Sequence, residues 1–179
     1  MTIAQEAPPT AASDVLALVR DACLGHAEAI AMLHTLIDAF NTWDCLVDKD
    51  RPVPDQRLHD TFHGLLIVLP RNEFYQRFQR DLQPVIESAI INWHAANAIQ
   101  WTDARAECLV RAHVLRMRLL DIVVTAARII GGLEHACAVA RTLNTQVPAE
   151  TAQAFMTEIA VNGPPVGFTA FGKHAKQGA

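Results

Sequence analysis

Apolar residues in this chain recur at helical spacing and nowhere at strand spacing. Placed at roughly 100° steps around a helix, Ala29, Leu33, Ile37, Phe40 and Val47 form one stripe. Ala112, Leu115, Leu119, Val123, Ala126 and Ile130 form a second on a later segment. There is no apolar–polar alternation of strand length and no internal repeat. A chain patterned this way buries its stripes against one another, so the expected fold is an all-α, single-domain bundle of about six to eight helices. The 179 residues, 51% of them hydrophobic, supply a core large enough for one such domain.

Helix start and stop signals divide the sequence. Residues 1–12 read as a flexible N-terminal arm, 13–161 as the helical domain and 162–179 as an irregular C-terminal tail. Ser13 or Asp14 can cap a first helix ending near Gly25, and a second runs over 26–48. The Arg51-Pro52-Val53-Pro54 connector leads into a helix over 54–69, stopped by Pro70-Arg71-Asn72. Asn72 caps a segment over 73–100 that Pro84 should kink. Asp103 opens a long helix through Ile130, closed by Gly131-Gly132, and shorter helices follow over 133–143 and 148–161. In the tail, Phe168 and Phe171 are too sparse for a core; they suit either a docking arm or a frayed terminus.

The formal net charge of −4 is spread along the chain, with no basic patch to suggest nucleic acid. Apolar runs are short and broken by charges, and residues 1–10 lack the basic-then-apolar pattern of a signal peptide, so neither a membrane span nor export is expected. Cys23, Cys45, Cys108 and Cys137 sit in helical segments without any C-x-x-C pair and read as small hydrophobes of a reducing compartment. The expectation is a soluble, cytoplasmic protein.

Polar residues on the apolar stripes are the candidates for function. Asp44 lies inside the first stripe, and with Asp48 and Asp50 it crowds a helix C-terminus, where the macrodipole favours cations. Arg116 lies inside the second stripe and is the natural counter-ion, while Asn92 and Asn97 border the arc of Leu82, Ile86, Ala89, Trp93 and Ala96. Asp44, Arg116, Asn92 and Asn97 suit a buried polar network that fixes helix register. They also suit an anion site, in which Asp44, Asp48 and Asn41 bind magnesium or manganese and Arg116 clamps a phosphorylated small molecule. On the first reading no cofactor is needed. His59 and His63 have chelating spacing but polar neighbours, and His34 with Asp38 is a similar pair; both read as solvated. There is no Gly-rich phosphate loop or nucleophile elbow, and no pair of Glu-x-x-His motifs.

Several segments together resemble a group of small helical proteins encoded by tailed phages and prophages. The resemblance rests on Trp43-Asp44-x-Leu46-Val47-Asp48-x-Asp50, on Leu69-Pro70-x-Asn72-x-Phe74-Tyr75 and on Asn92-Trp93-His94-Ala95-Ala96. It continues through Val114-Leu115-Arg116, Asp121 and Gly131-Gly132, spanning about residues 35 to 140. Cys45 stands where that pattern has Asp, which removes one carboxylate of a doublet. The resemblance implies a phage context, and with it a bacterial host cytoplasm, and brings no chemistry. Together with the absence of any complete catalytic constellation and the apolar C-terminal tail, it makes a non-enzymatic accessory or assembly protein, acting through protein contacts or self-association, the leading expectation. Asp44 and Asp48 alone are also similar to the first aspartate motif of class I isoprenoid synthases, whose second acidic motif is absent here.

Overall fold

The computed structural model describes residues 11–49, 51–102, 105–146, 155–157 and 159, and among them there are helices and no strand. Helix α1 (Ala11–Ala22) begins ahead of the Ser13/Asp14 cap expected from sequence. A turn with positive φ at Leu24 and Gly25 leads to α2 (Ala27–Asp48). His26 caps α2 by accepting the Ala29 N–H at Nδ1, 3.4 Å. Lys49 closes α2 in the left-handed region, its N–H on the Cys45 carbonyl.

After the connector, α3 (Asp55–His63) passes into a π-helical turn (Gly64–Val68) and a short α4 (Leu69–Arg71). The sequence predicts a stop at Pro70, yet helical backbone continues to Arg71. In a regular α-helix the Pro70 ring would meet the carbonyl of Leu66. The widened turn, with the Leu69 N–H bonded to the Gly64 carbonyl, moves that carbonyl row aside. Gly64 lets the turn approach α2 closely, since a Cβ there would lie 3.3 Å from Thr35 Cγ2.

Helix α5 (Glu73–Thr102) is capped as expected by Asn72, whose Oδ1 accepts the Tyr75 N–H at 2.8 Å. The Asn72 amide also donates to the Glu28 carbonyl and carboxylate on α2, at 2.8 and 2.9 Å. The backbone leaves helical geometry at Phe78, not at Pro84. Proline's fixed φ is itself helical, so Pro84 removes one N–H without forcing a break. At Phe78 the break coincides with the Phe74–Phe78 ring contact of 4.9 Å at the core edge.

The helix predicted from Asp103 to Ile130 is instead α6 (Ala106–Arg116), a 3-10 turn (Met117–Leu119) and α7 (Leu120–Gln146). At Gly132 the φ of 79° and ψ of −172° are open only to glycine, and the helix resumes at once rather than stopping. Gly131 gives room to His135, whose Nε2–H donates to the Ala22 carbonyl at 2.8 Å and ties α7 to α1. By length and composition the stretch from Ala106 to Gln146 is apolar enough to cross a membrane, with a mean hydropathy of 1.5 over its best window. That run was not anticipated from the sequence. Its inner face, with Ile122, Val123, Ala126 and Ala127, packs into the core.

The main core gathers Val19, Met32, Leu33, Leu82, Ile122 and Val123 from α1, α2, α5 and α7. A smaller cluster of Ala96, Ala112 and Phe155 joins α5 and α6 to the helical residues at 155–157. Apart from 155–157 and 159, the expected 148–161 helix lies outside the described residues, as do residues 1–10 and the 162–179 tail. Cys23, in the turn after α1 rather than within it, is fully buried with its thiol pushed up to about 11 by burial.

Candidate functional site

Three helices converge on Arg116. It stands at the C-terminus of α6, where the switch into the 3-10 turn turns its side chain toward α2 and α5. Its Nη2 donates to Asp48 Oδ2 at 2.9 Å and to Asn97 Oδ1 at 3.0 Å, and lies 3.5 Å from Asp44 Oδ1. The guanidinium is 5.8 Å from the Trp93 ring centre and 5.6 Å from that of Phe155, so aromatic faces cover it from α5 and from the small cluster.

The sequence places Asp44 deepest, with Arg116 as its partner. Asp44 is instead 41% exposed and the more distant of the two carboxylates, while Asp48, 22% exposed, makes the short bond. The reason is helical phase: Asp48 lies one turn beyond Asp44 and closer to the α6 terminus. Asp44 Oδ1 accepts the Trp93 indole N–H at 3.2 Å, and Trp93 in turn stacks on Trp43 with ring centres 4.2 Å apart. The last turn of α2 has no basic residue of its own, so Arg116 supplies from another helix the cation that the α2 dipole and its two aspartates require.

Asn97 belongs to this cluster and is 3% exposed. Asn92 is only half-buried and donates to Ser88 Oγ at 3.4 Å on its own helix. Asn41 is exposed, about two turns ahead of Asp48 on α2, and lines separate cavities. Among the described residues, no group of three or more His, Cys, Asp or Glu is placed to hold a metal ion. His59 and His63 are exposed, while His34 is half-buried with Nε2 enclosed and without a partner among the described residues.

Among the described residues, four enclosed polar atoms at Arg116 and its partners and along the facing side of α5 make no hydrogen bond: Asp48 Oδ1, Asn97 Nδ2, Gln100 Oε1 and Arg116 Nε. Each such atom costs about 1–3 kcal/mol. The cluster therefore fixes how three helices meet more than it adds net stability. His113, 5.4 Å from the Phe155 ring, has its pKa held below the ordinary value, first by burial and then by the charge of Arg116.

Sequence reasoning missed Gln100 and Phe155. Gln100 was within reach, since Trp93, Asn97 and Gln100 share one face of α5 by their spacing. It also missed a second polar cluster between α2 and α3. There Arg57 Nε donates to Thr42 Oγ1 at 2.9 Å and Nη2 pairs with Asp38 at 3.1 Å, while the Thr61 hydroxyl reaches Thr42 Oγ1 at 3.1 Å. Asp38 and Thr42 are one turn apart, but nothing in the sequence pairs them with Arg57. A cavity of about 390 Å³ opens beside this cluster, lined by Asn41, Cys45, Arg51 and Arg57 among others. A smaller one of about 190 Å³ lies on its far side against Asp60 and His63. An apolar cavity of about 160 Å³ lies between α1, α2 and α7. None of these three is lined by Asp44, Asp48 or Arg116.

Taken together, the described residues form an all-α bundle with a carboxylate–guanidinium–amide brace at the meeting of α2, α5 and α6. Comparison of the chain with protein-family models, curated proteins and solved structures gives no match.

Proposed function

We propose that this chain is a non-catalytic accessory or assembly protein of phage or prophage type, working through protein contacts in the bacterial host cytoplasm. The observation that carries the reading is the state of Arg116. Asp48, Asp44 and Asn97 already occupy it and two rings cover it, so the most reactive-looking group in the sequence is committed to joining helices. A contact surface is also at hand. Phe62, Leu66, Ile67 and Val68 follow one another along the end of α3 and the π-helical turn, and Phe62 and Leu66 are 62% and 67% exposed. Apolar side chains grouped this way on a soluble bundle favour a protein partner or a second copy.

A second reading keeps Asp44 and Asp48 as ligands of magnesium or manganese, with Arg116 holding a phosphorylated small molecule. The unpartnered Asp48 Oδ1 favours it. The two separate on one comparison: native mass spectrometry of complexes purified from host cells, for wild type and for Phe62→Ser/Leu66→Ser. Loss of a defined complex or homo-oligomer with the unfolding temperature unchanged supports the contact reading. A 19.6 kDa monomer in both cases, unaltered by the substitutions, overturns it.

A further inference from the structure

The cavity of about 160 Å³ between α1, α2, the 3-10 turn and α7 is walled by aliphatic side chains and one aromatic ring, and its lining carries no ionisable group. Leu33, Leu36, Ile122 and Val123 form its deep walls, and all four are buried. The half-buried Val15 and Phe40 and the exposed Asn41 mark its edge. Asn41 is the one polar side chain in the lining. A void of this size is unusual in a close-packed interior, because every atom that faces empty space forfeits its dispersion contacts. Water does not repair the loss: it needs several polar partners, and the deep walls offer none. Apolar cavities of about 150 Å³ in other proteins stay dry and admit benzene or xenon.

We infer that this cavity binds a small, uncharged, largely hydrocarbon molecule, one ring or a chain of similar bulk, with a single hydrogen-bonding group at Asn41. Each restriction has a physical cause. The volume is about half that of the smallest usual small-ligand pockets, which limits the guest to one ring. A charged guest would lose its hydration against walls that hold no counter-ion. The Asn41 amide both donates and accepts, so it takes a hydroxyl or a carbonyl, and no second polar side chain is there to take another. The deep walls belong to the main core, so the cavity is formed before the guest arrives and little ordering is left to impose. This site is distinct from the Arg116 cluster and does not depend on the contact reading.

The experiment is NMR titration of the full chain, labelled at its Ile, Leu and Val methyl groups, with toluene, phenol and benzoate, three guests of one ring each. Toluene and phenol should shift the methyl signals of Leu36, Ile122 and Val123 saturably, and each should raise the unfolding temperature. Benzoate should bind at least about tenfold more weakly than toluene. Val123→Phe places a ring in the space and should weaken toluene about tenfold or more. Val15→Phe fills it from the half-buried edge and serves the same purpose should the first variant fail to fold. Asn41→Leu should bring phenol down to the affinity of toluene or below while leaving toluene bound. Absence of binding of toluene and phenol at millimolar concentration, benzoate binding as tightly as toluene, or toluene binding unaffected in a folded filling variant overturns the assignment. Shifts confined to Leu66, Ile67 and Val68 on the exposed patch would overturn it as well.

Discussion

Replacing Arg116 by Met tests the brace quantitatively. The substitution keeps an apolar stem but removes the guanidinium, and with it the bonds to Asp48 and Asn97, the pair with Asp44 and the contacts with the Trp93 and Phe155 rings. It leaves two carboxylates against the C-terminal dipole of α2. Breaking a fully buried pair from one side costs about 3–5 kcal/mol. With Arg116 and Asp48 each about a fifth exposed, solvent reduces that cost to about 2–3 kcal/mol. Relief of the unpartnered Arg116 Nε returns about 1 kcal/mol, for a net loss of about 1–2 kcal/mol. For a chain of this length that is a fall of about 2–8 °C in Tm. Urea and thermal unfolding of wild type, Arg116→Met, Asp48→Asn and the double variant close the cycle. A coupling of about 1–2 kcal/mol is expected, the double variant recovering part of the loss. Additivity within about 0.5 kcal/mol would refute the reasoning.

Asn72→Ala should be among the most damaging polar substitutions, because one side chain caps α5 and joins it to Glu28; a loss of about 2–3 kcal/mol by urea unfolding is expected, and a loss below that of an exposed cap would count against the double role. Gly132→Ala and Gly131→Ala should each cost about 1–3 kcal/mol, the first through its positive φ and the second by driving a methyl to 2.5 Å from the His135 ring; neutral substitutions would contradict the α7 geometry. The Cys23 thiol holds its proton more tightly folded than unfolded, so stability should decline as pH rises from 9.0 toward about 11, and Cys23→Ala should flatten that decline. The lowered pKa of His113 means the fold disfavours imidazolium: its contribution is complete above about pH 6.5 and is lost as the pH falls below that value. Arg116→Met should raise the His113 pKa in an NMR titration, and an unmoved or lower value would dissociate the two residues.

Periodicity in the sequence was sufficient for the helical class, for the α2 boundaries near His26 and Asp48, and for the Asn72 cap, because these depend on neighbours along the chain. The π-helical turn at Gly64–Val68 and the 3-10 turn after Arg116 were not legible, since each arises from how a helix meets its packing partners. Phase errors explain the site in the same way. The stripe put Asp44 inward, but the crossing of α2 with α6 decides which of two aspartates, one turn apart, receives the guanidinium. The fold brings Asn97 to Arg116 and leaves Asn92 on Ser88, because Asn92 lies off the face that Trp93, Asn97 and Gln100 share. The Arg57 cluster joins residues far apart in the chain through side chains common on any surface, so no local signal marks it.

The central claim, that the aspartates near the end of α2 hold the bundle together and do not carry metal chemistry, is tested most directly by thermal unfolding with and without millimolar magnesium or manganese. The proteins to compare are wild type and Asp44→Asn/Asp48→Asn. The account expects the variant to unfold about 2–6 °C lower whether or not metal is present, with wild type unmoved by either cation. Equal apo stabilities, together with a metal-induced rise of several degrees in wild type that the variant lacks, would contradict it.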